Sequence, residues 1–316
     1  MSTRERIDPE SRIPLEGLLQ VMPGGFNAIP DIVQRRAVLT QMLSATPVPP
    51  NPNVTISNHV APGPDGDIAV RVYTPVNASK PAPGLVYIHG GGMIMGGLDG
   101  EDGTCQMLAD QLGAVVASVD YRKAPENPYP AAPEDCYAAT NWVFDNAAEL
   151  SMDASNIGIY GQSAGGGLTL AVVLMSKDRG GPSFSFMAPI YPMIDDSNVT
   201  ASSKLVTDVG IWDRAGSIEA WGWYLGGKEA DQYAAPARAK DLVGLPPAYF
   251  DVGELDMFRD EDIEFAKRLA EANVQVEFHL WPGAYHASEV FAPTAKLSAT
   301  IWATRISAMK RLMAKH

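Results

Sequence analysis

From Val54 onward the chain alternates short apolar runs with longer amphipathic stretches. Val54–Val60 and Ile68–Tyr73 flank Pro62-Gly63-Pro64-Asp65-Gly66, the signature of a hairpin. Leu85–Ile88, Ala114–Val119, Ile157–Tyr160, Phe184–Ile190, Ala248–Val252 and Val274–Leu280 are rich in β-branched and aromatic residues and read as further strands. Between them, helical spacing predicts helices over Thr104–Leu112, Pro133–Ala148, Leu168–Met175, Glu261–Ala272 and Thr294–Met313. Eight strands alternating with helices imply a mostly parallel sheet with helices on both faces. In such α/β sheets the chemistry lies beyond the carboxyl ends of the strands.

Two segments stand outside this pattern. In residues 1–52, Ile13, Leu15, Leu18, Leu19, Val21 and Met22 make an amphipathic stretch that Pro23-Gly24-Gly25 ends. Asp31 is placed to cap a second helix carrying Ile32, Val33, Val38, Leu39, Met42 and Leu43. Pro47, Pro49, Pro50 and Pro52 then make a stiff linker. These features predict an N-terminal helical cap over residues 1–52 on a catalytic domain over residues 53–316; a frayed tail is the alternative. Residues 192–245 hold Trp212, Trp221, Trp223 and Tyr224 but no clear strand, and read as a cap insertion.

Bulk properties narrow the classes. The net charge of −13 argues against nucleic acid and anionic membrane as partners. Two cysteines, Cys105 and Cys136, make no disulfide framework or metal-spacing motif, so a reducing, cytoplasmic location is expected. The polar start Met1-Ser2-Thr3-Arg4 lacks the apolar core of a secretory signal, and no apolar run approaches the roughly 18 residues of a membrane span.

The candidate chemistry follows the strands. Gly161-Gln162-Ser163-Ala164-Gly165 sits between the strand at Ile157–Tyr160 and an apolar helix, and matches a nucleophile elbow. A serine hydroxyl needs a base to take its proton, and the base is usually a histidine oriented by a carboxylate. Of five histidines, His286 lies in a loop just past the last strand, where such a base belongs. Asp251, Glu254, Asp256 and Asp260 crowd the place for the acid. Asp251 falls inside a strand and Asp260 reads as a helix N-cap, which leaves Asp256 in the intervening loop as the choice. His89-Gly90-Gly91-Gly92 follows another strand. Its glycines would let the amides of Gly91 and Gly92, with that of Ala164, approach an oxyanion. A phosphate loop is the rival, but no Walker Lys or Ser/Thr follows.

These pieces, with Gly253-Glu254-Leu255-Asp256 and Tyr285-His286, resemble the hormone-sensitive-lipase-like (bacterial family IV) esterases of the α/β-hydrolase superfamily. Asp120-Tyr121-Arg122-Lys123-Ala124-Pro125-Glu126 is similar to that family's D-Y-R-L-A-P-E block, with Lys123 in place of Leu. The resemblance runs from about Val70 to the C-terminus. It implies a cofactor-free and metal-free carboxylesterase on short or medium acyl esters, with Ser163, Asp256 and His286 as triad and Gly91, Gly92 and Ala164 as oxyanion hole. Gln162 departs from the family's usual Asp, as in a branch resembling heroin esterase, and is expected to alter hydrogen bonds behind the oxyanion loop. Similar enzymes often dimerise through the last strand, here Val274–Leu280. An amidase or arylformamidase on the same fold is the alternative activity. A non-catalytic receptor is a further one, disfavoured because such receptors lose the histidine that this chain keeps at His286.

Overall fold

The apolar runs line up as one eight-stranded sheet in the computed structural model, which describes residues 3–45, 48–207 and 211–314. The strands are β1 (Val54–Gly63), β2 (Gly66–Pro75), β3 (Ala82–Ile88), β4 (Val115–Asp120), β5 (Met152–Gln162), β6 (Met187–Ile190), β7 (Ala248–Leu255) and β8 (Val276–Tyr285). Their spatial order is β1-β2-β4-β3-β5-β6-β7-β8. β1 pairs antiparallel with β2, and β2 with β4; every later pairing is parallel. The ends of β3, β5, β7 and β8 therefore share one edge of the sheet.

The helices are α1 (Pro9–Val21), α2 (Ile32–Ala45), α3 (Leu98–Leu112), α4 (Ala131–Asp145), α5 (Ala164–Arg179), α6 (Ala201–Leu205), α7 (Arg214–Leu225), α8 (Arg259–Glu271), α9 (Ser288–Phe291) and α10 (Lys296–Met313). Strand side chains alternate between faces, so each strand feeds two cores. Val86, Ile88, Val115, Ala117, Ile157 and Ile159 pack with residues of α4, α5 and α8. Leu85, Tyr87, Val116, Tyr160 and Tyr249 pack with Cys105 and Leu108 of α3 and Met309 and Met313 of α10.

The structure corrects several boundaries. β8 does not stop at Leu280; it continues through Trp281-Pro282-Gly283 to Tyr285, so His286 follows the strand directly instead of standing in a longer loop. Proline is tolerated there because β8 is an edge strand with a partner on one side only. Helix α4 ends at Asp145, short of the expected Ala148. Asp260 is no N-cap: it lies inside the first turn of α8 and accepts from the amide of Ser202 at 2.7 Å.

The N-terminal segment docks differently from a simple apolar face. Leu15 of α1 is buried, yet Ile13 and Val21 are 71% and 82% exposed. In α2 Val33 is exposed, whereas Arg35 is fully buried, donating to the carbonyl of Ile29 and, at 2.7 Å, to Glu219 of α7. Arg36 donates to the carbonyls of Ile94 and Ala124, both at 2.7 Å, and grips Glu126 with both terminal nitrogens. Asp31 does cap α2, accepting from the amide of Gln34. The amide of Asp8 bonds the carbonyl of Gly283 at the end of β8. Of these partners, Ile94 and Ala124 follow the carboxyl ends of β3 and β4, and Gly283 lies close to that of β8. Of the linker prolines, Pro47 lies outside the described residues; beyond it, Asn51 and Asn53 fasten the chain to Asp110 of α3.

Candidate active site

The turn from β5 into α5 holds Ser163 at φ 56° and ψ −122°. That is a costly conformation for a residue with a side chain, of the kind stored at functional sites. The surroundings enforce it. The Ser163 amide donates to Ile190 at 2.9 Å, and its carbonyl accepts from Gly167 and Met193, each at 3.0 Å. The flanking glycines are demanded by contact. A Cβ on Gly161 would collide with the Gly165 backbone, and one on Gly165 with the carbonyl oxygens of Ile88 and His89.

His286 Nε2 stands 2.9 Å from Ser163 Oγ, and its Nδ1 stands 2.7 Å from Asp256 Oδ2. All three residues are buried. A carboxylate only accepts, so Nδ1 carries the proton and Nε2 is left to accept from the serine hydroxyl. The second oxygen of Asp256 takes the amide of Phe258 at 3.0 Å, which fixes the carboxylate plane. The rival acids are engaged elsewhere. Asp251 holds Arg305 through two bonds of 2.6 and 2.8 Å, and Glu254 pairs with Arg6 and the amide of Gly283. His59 and His279 lie apart from Ser163, bonded to Ser57 and Glu277; His316 lies outside the described residues.

Gly91 and Gly92 follow β3 with φ of 107° and 64°. The Gly91 carbonyl accepts from Ile94 and Met95, which coils the loop and leaves the amides of Gly91 and Gly92 without an acceptor among the described residues. The Ala164 amide opens α5 and is likewise free there, as first-turn amides are. Gly90 packs on the Gln162 carbonyl and the Ser163 Cβ, so loop and elbow are in direct contact.

The loop rests on the Asp120-Tyr121 block. Buried His89 bonds the Gly90 carbonyl through Nδ1 at 2.7 Å and stacks on Tyr121 with ring centroids 4.2 Å apart. The Tyr121 hydroxyl donates to the His89 carbonyl at 3.0 Å. Lys123 donates to Asp120 at 2.7 Å. Burial opposes ionisation of Asp120, but His89 and Lys123 outweigh it and hold its pKa down to about 2. Gln162 donates to the Tyr160 hydroxyl at 2.9 Å, and Tyr87 bridges Gln162 to Glu101. Burial raises the Glu101 pKa above its ordinary value.

Sequence reasoning missed the rings around His286. Tyr191, at φ 34°, stands edge-on to the imidazole at 4.9 Å, and Phe258 does the same at 5.2 Å. Trp212, from the segment between β6 and β7, lies 6.5 Å from it. Phe258 sits two residues past Asp256 and was within reach of inspection; no spacing in the chain announced the other two. Among the described residues, no group of three or more His, Cys, Asp or Glu side chains could hold a metal ion.

This fold and site define an α/β hydrolase. The family model for that fold matches residues 85–290, and the chain belongs to the α/β-hydrolase family, in its hormone-sensitive-lipase-like branch. The carboxylesterase NlhH of Mycobacterium tuberculosis is 36% identical over 98% of this chain and 97% of its own. The esterase LipI of the same organism is 39% identical over 73% of this chain and 74% of its own. A solved bacterial heroin esterase superposes with a TM-score of 0.92 at 37% identity, covering 99% of this chain and 100% of its own.

Proposed function

We propose that the chain is a serine carboxylesterase that hydrolyses short- to medium-chain carboxylic esters through an acyl-enzyme. The observation that carries this reading is the unbroken series Ser163 Oγ, His286 Nε2, His286 Nδ1 and Asp256 Oδ2, with spacings of 2.9 and 2.7 Å. Ser163 attacks the ester carbonyl while His286 takes its proton. The amides of Gly91, Gly92 and Ala164 receive the oxyanion; one such donor typically lowers the barrier by about 3–4 kcal/mol. His286 then gives its proton to the leaving alcohol, and water repeats the sequence to free the acid. The esterase names of the relatives support the same activity. The mechanism needs no cofactor or metal.

The segments before β1 and between β6 and β7 are read as the two parts of a cap that roofs this site and keeps water out. The two cysteines are free and buried, which supports a reducing cytoplasm as the location. Among the described residues no helix is long and apolar enough to cross a membrane. The unpaired side of β8 is the face through which a homodimer would form, testable by size-exclusion chromatography with light scattering.

Initial rates on p-nitrophenyl esters from acetate to octanoate test the activity. Mass spectrometry of enzyme quenched during turnover tests the intermediate: an acyl adduct on the Ser163 peptide is expected. Turnover without any adduct, and undiminished in Ser163→Ala, would refute the mechanism.

A further inference from the structure

The ladder between β7 and β8 breaks just before the triad. Between the pairs Gly253–Trp281 and Leu255–Tyr285, β7 advances two residues and β8 advances four. The surplus is a bulge at Pro282-Gly283-Ala284, and a bulge beside an active site re-aims the side chains next to it. Here Tyr285 and His286 follow directly. Gly283 stands at φ 77°, in the left-handed region that favours glycine. No residue of β7 pairs with it in the register, so its backbone N–H and C=O need other partners.

Those partners come from two places. The Gly283 amide donates to Glu254 Oε2 at 3.1 Å, and Glu254 stands two residues before Asp256. The Gly283 carbonyl accepts from the backbone amide of Asp8 at 3.0 Å. The neighbours of Asp8 hold that amide in place. Ile7 is buried, the Asp8 carboxylate caps α1 by accepting from the Ser11 amide at 2.9 Å, and Arg6 donates to Glu254 Oε1. The buried Tyr285 hydroxyl donates to the Ser11 carbonyl at 3.4 Å. The fit is close: a Cβ on Gly283 would stand 3.0 Å from the Asp8 nitrogen. Since β8 is an edge strand, no further strand among the described residues holds the bulge from its other side.

Resting on the esterase reading above, we propose that Glu254 and the backbone amide of Asp8 are positioning groups for the base: together they close the Gly283 bulge and so fix His286 between Ser163 and Asp256. Both act through His286 and not on the substrate. Glu254 joins the strand of the acid to that of the base, because it leads into Asp256 on β7 and holds the bulge before His286 on β8. Asp8 supplies only its amide, which any residue except proline provides. A displacement of about 1 Å in such a constellation can cost up to about a hundredfold in rate.

Two pairs of variants test this. Glu254→Ala removes the acceptor from the Gly283 amide, and Glu254→Gln keeps one. Asp8→Pro removes the amide, and Asp8→Ala keeps it while losing the same helix cap. In Glu254→Ala and Asp8→Pro, kcat for p-nitrophenyl butyrate is expected to fall about tenfold, with KM within about twofold of native. Glu254→Gln and Asp8→Ala should keep most of kcat. A second readout observes the base itself, apart from turnover. The Nδ1 proton of His286, held against Asp256, gives a low-field proton resonance that His286→Ala assigns by its loss. That resonance should broaden or move upfield in Glu254→Ala and Asp8→Pro and stay in place in the other two. Native kcat and a native resonance in both Glu254→Ala and Asp8→Pro would overturn the proposal. Equal losses within each pair would also overturn it, because they would trace the effect to the charge of Glu254 and to the helix cap. If the native enzyme hydrolyses no ester, the esterase reading fails, and the resonance alone decides the positioning role.

Discussion

The guanidinium of Arg36 bonds the carbonyl oxygen of Ile94, two residues beyond Gly92. A helix outside the sheet thereby holds the loop whose amides are assigned to the oxyanion. The same side chain reaches Ala124 and Glu126, beside the block that supports His89. Arg36→Ala should therefore loosen the loop more than it unfolds the protein. kcat for p-nitrophenyl butyrate should drop about tenfold, with KM changed less and the thermal midpoint lowered by only a few degrees. Equal kcat in variant and native enzyme would mean that the loop stands without α2.

Ser163→Ala removes the nucleophile and adds no bulk at a strained position. Hydrolysis should fall by at least about 10⁴-fold while circular dichroism stays native, and His286→Ala should cost about as much, because such residues act as a unit. Residual activity above about one per cent in a preparation free of other esterases would exclude Ser163 as nucleophile.

Asp262 of α8 is fully buried, and neither carboxyl oxygen has a partner among the described residues. Burial, reinforced by neighbouring Glu261, Asp256 and Asp251, pushes its pKa well above the usual carboxylate range. The folded state then holds a proton that the unfolded chain releases, so stability declines as pH rises from the unfolded pKa towards the folded one. Asp262→Asn keeps the shape and removes the titration. Urea midpoints should show the variant more stable than the native protein at pH 8 and little different at pH 4. A variant less stable at pH 8 would show that the carboxylate has an unseen partner.

Arg305 is fully buried between Asp251 and Glu289, and Glu289 also accepts from the Tyr191 hydroxyl at 2.7 Å. Arg305→Met strands two buried carboxylates and should cost about 3–5 kcal/mol in urea unfolding. A loss below about 1 kcal/mol would contradict the burial of this network.

The legible parts of the sequence were those where backbone contact dictates the residue. Gly161, Gly165, Gly91 and Gly92 cannot be replaced without collision, and they stood out as glycine clusters after β-branched runs. Asp256 was legible because its neighbours could be assigned to strand and helix. Other features were hidden by side chains used against type. Arg35 reads as a solvent-facing position of a helix, yet it is buried because Ile29, Glu219 and the face of Trp223 receive its charge. Glu261 and Asp262 look like ordinary acids in a first helical turn, yet both are buried, with Glu261 accepting the amides of Ile194 and Asp195. Pro282 and Gly283 look like a strand terminator and instead continue β8. The partners in each case are distant in sequence, so no local pattern could announce them.

The contact of Gly165 with the backbone of His89 has an evolutionary consequence. Elbow and oxyanion loop come from separate strands but share one interface with no spare volume, so neither can change without the other. Among the described residues, the segments before β1 and between β6 and β7 add no strand to the sheet. They are free to diverge, insert and shorten while the floor beneath stays constant. On the proposed reading of these segments as a cap, new substrates would be acquired by rewriting the cap, leaving the reaction itself inherited unchanged.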